Sequence, residues 1–236
     1  MERTSAGEEG AEERHGNPRT VAIDGPVASG KSAVGSLLAR RLGFRFLDTG
    51  AMYRAFTWLL LERGIAPQDE EAIGGLAQGV SMTVSTTADE QSQVHVDGVE
   101  VTAFLVRPEV EANVSDVSRL SVVREAMVRI QREEAQLGEI VVVGRDIGTV
   151  VLPDADLKVY LDAPRLERAR RRWEQARFRG ETTLSIASVM QELERRDAID
   201  SGRELSPLRP AADALILQTD GLSLEQVVER ILALAR

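Results

Sequence analysis

The segment Gly25–Ser32, with the sequence GPVASGKS, limits the possible folds of this chain more than any other feature. It matches the phosphate-loop pattern, in which a glycine, four variable residues and a second glycine are followed by lysine and then serine or threonine. The β-branched run Thr20–Asp24 precedes the segment, and Val34, Leu37 and Leu42 after it repeat at a helical period. Strand, glycine loop and helix therefore follow one another in the order that a phosphate loop requires.

Each part of this loop suits a nucleoside triphosphate. Glycines let backbone amides turn towards phosphate oxygens, and the following helix places about half a positive charge at its N-terminus. Lys31 is predicted to reach the β- and γ-phosphates and Ser32 to coordinate Mg²⁺. The predicted ATP-binding residues are Gly25, Pro26, Val27, Ala28, Ser29, Gly30, Lys31 and Ser32. A chance match is disfavoured, because Lys31 and Lys158 are the only lysines among 29 basic residues.

The rest of the chain alternates predicted strands with predicted helices. Strands are predicted at 44–47, 139–143, 157–161 and 213–217, and helices at 32–41, 52–63, 108–137, 165–179, a following segment through 196, and 223–236. Alternation of this kind predicts an α/β protein: a three-layer phosphate-loop fold with a parallel, doubly wound sheet.

Residues 79–105 follow a different pattern. Apolar residues alternate with polar ones here, and Asp97-Gly98 separates two such runs. An Asp-Gly pair between alternating runs is a strong hairpin signal. We therefore predict a small antiparallel β insert at this point.

Composition excludes several classes of protein. Without cysteine there can be no disulfide, thiolate nucleophile or Cys-ligated metal, and His15 and His95 are the only imidazoles. A net charge of −9 argues against a nucleic-acid surface. No apolar run is long enough to span a membrane. We expect a soluble, cytoplasmic protein with no membrane or nucleic-acid partner, and a disordered tail over Met1–Arg19.

Arginine positions suggest what accepts the phosphate. A phosphomonoester is already mostly ionised near neutral pH, so it needs cations rather than a base. Arginines lie at several predicted loop or strand ends, although each alone is as readily a solvated surface residue: Arg54, Arg145, Arg196, Arg203 and Arg209. A guanine-reading Asn-Lys-x-Asp motif is absent, since neither Asn17 nor Asn113 precedes a lysine. A regulatory GTPase is therefore disfavoured.

Longer motifs around these arginines carry a family resemblance. They are Ile23–Pro26 with the loop, Leu47–Arg54 (LDTGAMYR), Gly144–Val151 (GRDIGTVV), Arg196–Arg203 (RDAIDSGR) and Pro207–Asp213 (PLRPAAD). In order and spacing, the chain from Thr20 onwards resembles the bacterial cytidylate kinases. The resemblance implies a single kinase domain over 20–236, with a monophosphate-binding insert at about 62–120, a helical lid (LID) at about 165–185, and a monomeric state.

The resemblance also implies a reaction and a set of roles. The reaction is transfer of a phosphoryl group from MgATP to CMP or dCMP, with Lys31, Arg145 and Arg203 as catalytic residues. Asp146 would accept from the cytosine amino group, and Arg124 and Ser115 would serve the rest of the base edge. The CMP-binding residues implied are Thr49, Tyr53, Arg54, Ser115, Arg124, Arg145, Asp146, Arg196, Asp200 and Arg203. Of these, Arg54, Arg145 and Arg203 would bind the acceptor phosphate, and Arg196 with Asp200 the sugar hydroxyls.

Alternative interpretations remain open at this level. Ser115 and Arg124 could lie on an exposed polar helix face, Asp146 could cap a helix, Asp200 could pair structurally with Arg203, and Tyr53 could be core. The seven arginines of Arg165–Arg179 could form a solvated face, or one or two could act on the transition state from a lid. The nearest rival activity is a phosphate-loop kinase of a small hydroxyl metabolite, of the shikimate or gluconate type, with Asp24 or Asp48 as base. A nucleotide-dependent regulatory module is a further alternative.

Overall fold

The computed structural model describes residues 19–66, 68–86, 92–180 and 183–234, so the predicted tail lies outside the described residues except for Arg19. Strands and helices succeed one another as follows: β1 (Thr20–Asp24), α1 (Lys31–Leu42), β2 (Arg45–Asp48), α2 (Thr49–Glu62), α3 (Glu70–Gly79), β3 (Met82–Thr86), β4 (Ser92–Val96), β5 (Val99–Glu100), α4 (Pro108–Val117), α5 (Ser121–Ala135), β6 (Ile140–Gly144), β7 (Leu157–Asp162), α6 (Arg165–Phe178), α7 (Ile186–Ser201), β8 (Leu215–Gln218) and α8 (Leu224–Leu234). A 3₁₀ turn at Thr102–Phe104 and a π-helical turn at Ile147–Val151 complete the described elements.

Five parallel strands form the central sheet in the order β2-β6-β1-β7-β8, which confirms the predicted fold class. β1 lies in the middle, paired with β6 on one side and β7 on the other. All five strands therefore end at one edge. Ligands of open parallel sheets bind at that edge, where neighbouring connections leave in opposite directions.

Helices cover both faces of the sheet, as the period-two alternation of a strand requires. On one face Val21 and Ile23 of β1 pack in a core with Leu38 of α1 and Val228 of α8. On the other face, Ala22 belongs to a larger core that contains the buried apolar residues of α2 and α5. Every one of these strand residues is fully buried, so the sheet forms the middle layer of three.

The predicted β insert is present as an antiparallel sheet in the order β3-β4-β5. Asp97 and Gly98 join β4 to β5 with φ angles of 50° and 81°. Two positive φ angles in a two-residue loop are typical of a type I′ hairpin turn, which confirms the Asp-Gly prediction. The buried face of the insert, including Met82 and Val94, joins the same core as α2.

Several predicted boundaries were wrong: α2 begins at Thr49 rather than 52, and α3 was not predicted. Two further differences have a clear physical reason. The helix predicted over 108–137 is two helices, because Leu120 is extended, with ψ of 127°, and its side chain packs into the larger core. The last strand begins at Leu215 rather than 213, since Asp213 turns aside to bind the Lys158 ammonium at 2.8 Å. Within the described ranges, no helix combines the length and apolar character that a membrane crossing needs.

Phe56 offers a test of how far the larger core stabilises the fold. Its side chain is fully buried on α2, next to the residues that face the cavity described below. Removing a buried phenyl ring leaves a cavity, and Phe56→Ala should lower the free energy of unfolding by about 3–5 kcal/mol. Leu137→Ala is the control, since that side chain is 70% exposed and its loss should cost less than about 0.5 kcal/mol. Urea denaturation of both variants measures the difference, and equal midpoints would contradict it.

Candidate active site

A cavity of about 850 Å³ lies at the carboxyl edge of the sheet, between the phosphate loop and helices α2, α4, α6 and α7. All ten residues predicted to bind the acceptor line it: Thr49, Tyr53, Arg54, Ser115, Arg124, Arg145, Asp146, Arg196, Asp200 and Arg203. From the loop, the lining residues are Val27, Ala28, Gly30, Lys31 and Ser32, whereas Gly25, Pro26 and Ser29 belong to the loop but do not line the cavity. Arg209 is exposed elsewhere.

The phosphate loop has the backbone that its glycines permit. Gly30 has a φ of 94°, and α1 begins directly after it at Lys31. At Gly25, a Cβ atom would lie 2.1 Å from the carbonyl oxygen of Leu161, so no other residue fits at that turn. The N-terminus of α1 lies at the edge of the cavity, because Gly30, Lys31 and Ser32 line it, and the free amides of a helix N-terminus suit an anion.

Lys31 is buried and folded over its own loop. Its ammonium donates to the Pro26 carbonyl oxygen at 2.6 Å and to the Ser29 hydroxyl at 3.3 Å. Burial, reinforced by the nearby Arg145 guanidinium, lowers the pKa of Lys31 well below its usual value. An anion beside Lys31 would raise its pKa again, because a nearby negative charge stabilises the charged form of the ammonium.

Two carboxylates at the strand ends support the loop. Asp48 accepts a hydrogen bond from the Ser32 hydroxyl at 2.7 Å and also caps α2 through the Ala51 amide at 3.2 Å. Asp24 accepts from the Ile147 and Gly148 amides, both at 2.8 Å. Burial raises the pKa of Asp24 to about 6, although the two amides act in the opposite direction. The predicted site residues did not include Asp48, which was considered only as the base of the rival activity, and its position at a strand end was the available signal.

Ser32 and Asp48 are hard oxygen donors of the kind that Mg²⁺ prefers. In the part of the chain that the structure describes, no group of three or more His, Cys, Asp or Glu side chains could hold a metal ion. The residues present thus fit a cation that takes one or two protein ligands and completes its shell with phosphate oxygens and water.

Asp200 holds two arginines side by side. Its carboxylate accepts from Arg145 Nε at 2.9 Å and from Arg203 Nη2 at 2.5 Å, and Arg203 also donates to the Ser118 hydroxyl at 2.9 Å. Burial alone would raise the pKa of Asp200, but the two guanidinium groups hold it below its usual value. The predicted Asp200–Arg203 pair is therefore present, within a triad that faces the cavity.

Glu111 of α4 contacts two further arginines. Its Oε2 atom lies 2.9 Å from Arg172 of α6 and 3.2 Å from Arg196 of α7. Burial would raise the pKa of Glu111, but Arg172 and Arg196 lower it below its usual value. Nothing in the sequence distinguished Glu111 from the other acidic residues of its helix.

The cavity wall contains a buried ion pair between Arg124 and Asp146. Arg124 also donates to the Ser118 carbonyl oxygen at 3.3 Å and lies over the Tyr53 ring, 5.6 Å from its centroid. Ser115 and Arg124 are each only 3% exposed, so the alternative that placed them on a solvated helix face is wrong. Asp146 makes no capping hydrogen bond. Burial raises the pKa of Tyr53 to about 12, which keeps its phenol neutral.

Of the seven arginines in Arg165–Arg179, Arg172 and Arg179 line the cavity. The others have different surroundings. Arg165 pairs with Glu194, Arg170 with Glu167 and Glu174, Arg177 lies over Trp173, Arg171 bonds to Thr219, and Arg168 contacts Val27. The basic run is therefore partly a solvated face, as the simpler interpretation held, with two members directed at the cavity.

Comparison with known proteins agrees with these motifs. The sequence model described as cytidylate kinase matches residues 21–236. A cytidylate kinase of Desulfitobacterium hafniense (strain Y51) is 47% identical over 214 residues, which cover 91% of this chain and 91% of that protein. A bifunctional pantoate ligase/cytidylate kinase of Synechococcus sp. (strain RCC307) is 44% identical over 216 residues, and the match covers 92% of this chain but 42% of that longer protein.

Solved structures give weaker likenesses. A shikimate kinase from Acinetobacter baumannii in complex with shikimate is 16% identical, with 92% of each chain covered and a TM-score of 0.46. TT1252 from Thermus thermophilus is 20% identical, with 92% of this chain and 98% of that one covered and a TM-score of 0.44.

Three observations agree. The family model matches the chain from β1 to the last residue, and a curated member of the family is 47% identical. The cavity is lined by residues of the motifs that carry the resemblance. This chain belongs to the cytidylate kinase family.

Proposed function

We propose that this protein transfers the γ-phosphoryl group of ATP to CMP or dCMP, with ADP and CDP or dCDP as products. One observation carries the proposal: a single cavity joins the phosphate loop to a set of arginines and to a buried Arg–Asp pair. Phosphoryl transfer depends mainly on positioning and on stabilisation of charge. A cleft with fixed cations at the junction of two anionic substrates supplies both.

The acceptor phosphate lies against Arg54, Arg145 and Arg203 in this proposal. Asp200 fixes the last two through its two carboxylate oxygens, so their guanidinium groups need little reorganisation when the phosphate binds. Arg196 and Asp200 are the candidates for the sugar hydroxyls. Among the described residues, no histidine lines the cavity, and none is required, because a phosphate oxygen is ionised near neutral pH.

In this proposal, the Arg124–Asp146 pair binds the cytosine base. Cytosine presents an amino donor at N4 next to acceptors at N3 and O2. A carboxylate beside a guanidinium offers the complementary acceptor and donor within one buried pair. Ser115 adds a hydroxyl, Tyr53 packs beneath Arg124, and Thr49 anchors the nearby wall by donating to the Val143 carbonyl oxygen at 2.9 Å.

In this proposal, the phosphate loop binds ATP, and Ser32 would hold Mg²⁺. Bound there, the ion would neutralise charge on the β- and γ-phosphates. Lys31 exchanges its bonds to the loop for phosphate oxygens, and Asp48 orients the Ser32 hydroxyl. Lys31, Arg145 and Arg203 surround the transferred group, with Arg172 and Arg179 as the lid arginines positioned to join them.

A kinase of a hydroxyl metabolite would need a carboxylate free to take a proton. Asp24 does not line the cavity, and Asp48 is already engaged by the Ser32 hydroxyl and the Ala51 amide. These observations favour the nucleotide acceptor over that rival.

An ADP-release assay with MgATP and CMP, dCMP, UMP, AMP or GMP tests the proposed reaction. We expect turnover with CMP or dCMP at a kcat/KM at least about 100-fold above that with the purine monophosphates, because a site built for one hydrogen-bonding edge leaves groups unpaired with another. Binding of ATP without turnover of any monophosphate would overturn the proposal and favour a nucleotide-dependent switch.

Asp146→Asn tests the base-reading role. The amide can donate where the carboxylate only accepted, so kcat/KM for CMP should fall about 100-fold or more, while the ratio of UMP to CMP turnover should rise. Asp116→Asn is the matched control, because Asp116 lies on α4 outside the cavity and pairs with Arg119 at 3.8 Å. Unchanged selectivity in Asp146→Asn would refute the assignment.

The raised pKa of Asp24 predicts that its contribution to stability depends on pH. Its pKa of about 6 in the fold lies above 3.8, the usual value for an aspartate side chain. Protonation therefore stabilises the fold, and this contribution is complete below about pH 4 and lost as pH rises through 6. In a ¹³C NMR titration, the Asp24 carboxyl resonance, assigned by its absence from Asp24→Asn, should titrate near pH 6. A midpoint near 4 would show that burial does not control this group.

A further inference from the structure

Both backbone groups of Val27, at the tip of the phosphate loop, are bound by side chains from outside the loop. The Val27 amide donates to Asp197 Oδ1 at 3.4 Å, and the Val27 carbonyl oxygen accepts from Arg168 Nη1 at 2.9 Å. Arg168 and Asp197 also pair with each other, at 2.8 Å from Nη1 to Oδ2. The three contacts close a small ring that we call the loop clamp, formed by Arg168 and Asp197.

The loop needs such a restraint at this point. Ala28, directly after Val27, has a φ of 59° without being glycine. A non-glycine residue in the left-handed region is strained and persists only where its surroundings fix it. The Val27 side chain adds a second fixed point, because it packs in a small core with Ala169 of α6 and with Val189 and Leu193 of α7.

Burial shows that the clamp serves the loop and not the substrate directly. The Arg168 side chain is 7% exposed and that of Asp197 is 20% exposed, and neither lines the cavity. Arg168 also donates to the Ala163 carbonyl oxygen, at 3.1 Å from Nε. A guanidinium that is buried in this way and bonded to the loop is not placed to contact a phosphate in the cavity.

The clamp also connects the two halves of the cavity. Neighbouring residues on α7 point in different directions: Arg196 reaches Glu111 on the acceptor side, while Asp197 reaches Val27 on the loop side. Asp200 follows on the same helix and holds Arg145. A shift of α7 would therefore move the acceptor arginines and the phosphate loop together.

We propose that Arg168 and Asp197 are positioning residues that hold the phosphate loop in its triphosphate-binding conformation and join it to α6 and α7. The inference rests on the proposed function, since it assumes that the loop binds ATP. It assigns a role to Asp197, the one charged residue of the Arg196–Arg203 motif that the acceptor site leaves unused.

Binding measurements separate this role from simple helix packing. Isothermal titration calorimetry would give the Kd of a non-hydrolysable MgATP analogue and the Kd of CMP for the wild type, Asp197→Ala and Arg168→Lys. We expect Asp197→Ala to raise the Kd of the analogue at least about 10-fold and that of CMP less than about 2-fold, because the loop loses an anchor while the acceptor arginines keep Asp200. Arg168→Lys keeps the charge but not the forked donors, so its effect should be intermediate.

Glu194→Gln is the matched control. Glu194 joins the same two helices through Arg165, at 2.9 Å, but its side chain is 61% exposed and is not one of the two that bind Val27. Both its Kd values should equal those of the wild type. The positioning role would be overturned if Asp197→Ala and Arg168→Lys bound the analogue with the same Kd as Glu194→Gln. It would also be overturned if each variant lost equal affinity for the analogue and for CMP.

Two further outcomes are informative. If Asp197→Ala does not fold, as judged by its thermal melting, Arg168→Lys decides the matter by the same two Kd values. If the wild type binds CMP but not the ATP analogue, the proposed function fails together with the clamp, whereas normal wild-type binding with unaffected variants overturns the clamp alone.

Discussion

The interaction on which the cavity depends is the one between Asp200 and two arginines. Arg145 and Arg203 carry like charges into a largely buried site, where each would repel the other and lose solvation. The Asp200 carboxylate lies between them and accepts a hydrogen bond from each. Glu111 pairs in the same way with Arg172 and Arg196, and Asp146 pairs with Arg124. Three carboxylates thus allow a dense group of cations to exist before any phosphate arrives.

The parallel sheet explains why these groups meet. β1 delivers the phosphate loop, β2 delivers Asp48 and Thr49, and β6 delivers Arg145 and Asp146, all at the edge where the strands end. Asp24 then ties the first of these strands to the turn after β6 through the Ile147 and Gly148 amides. Residues more than a hundred positions apart in sequence are positioned by two adjacent strands, and the helices α6 and α7 close the remaining side.

Much of this arrangement could be predicted from the sequence. The phosphate loop, the alternation of strands and helices, and the Asp97-Gly98 hairpin depend on local chemistry, and local chemistry is visible in a single sequence. The break between α4 and α5 was not predicted, because neither glycine nor proline marks it and the packing of Leu120 produces it. Family resemblance, and not periodicity, indicated Ser115 and Arg124. Glu111 and the distinction between Arg172 and Arg170 depend on tertiary contacts that no local pattern encodes.

The central claim is that two nucleotides meet end to end in one cleft, one on the phosphate loop and the other on the arginines held by Asp200. The most direct test is calorimetric titration with a bisubstrate analogue that joins adenosine and cytidine through a chain of five phosphates. Linking two ligands of adjacent subsites makes the second contact intramolecular, so the analogue should bind at least about 100-fold more tightly than ATP and should displace CMP. An affinity no better than that of ATP, with CMP still able to bind beside it, would contradict the account.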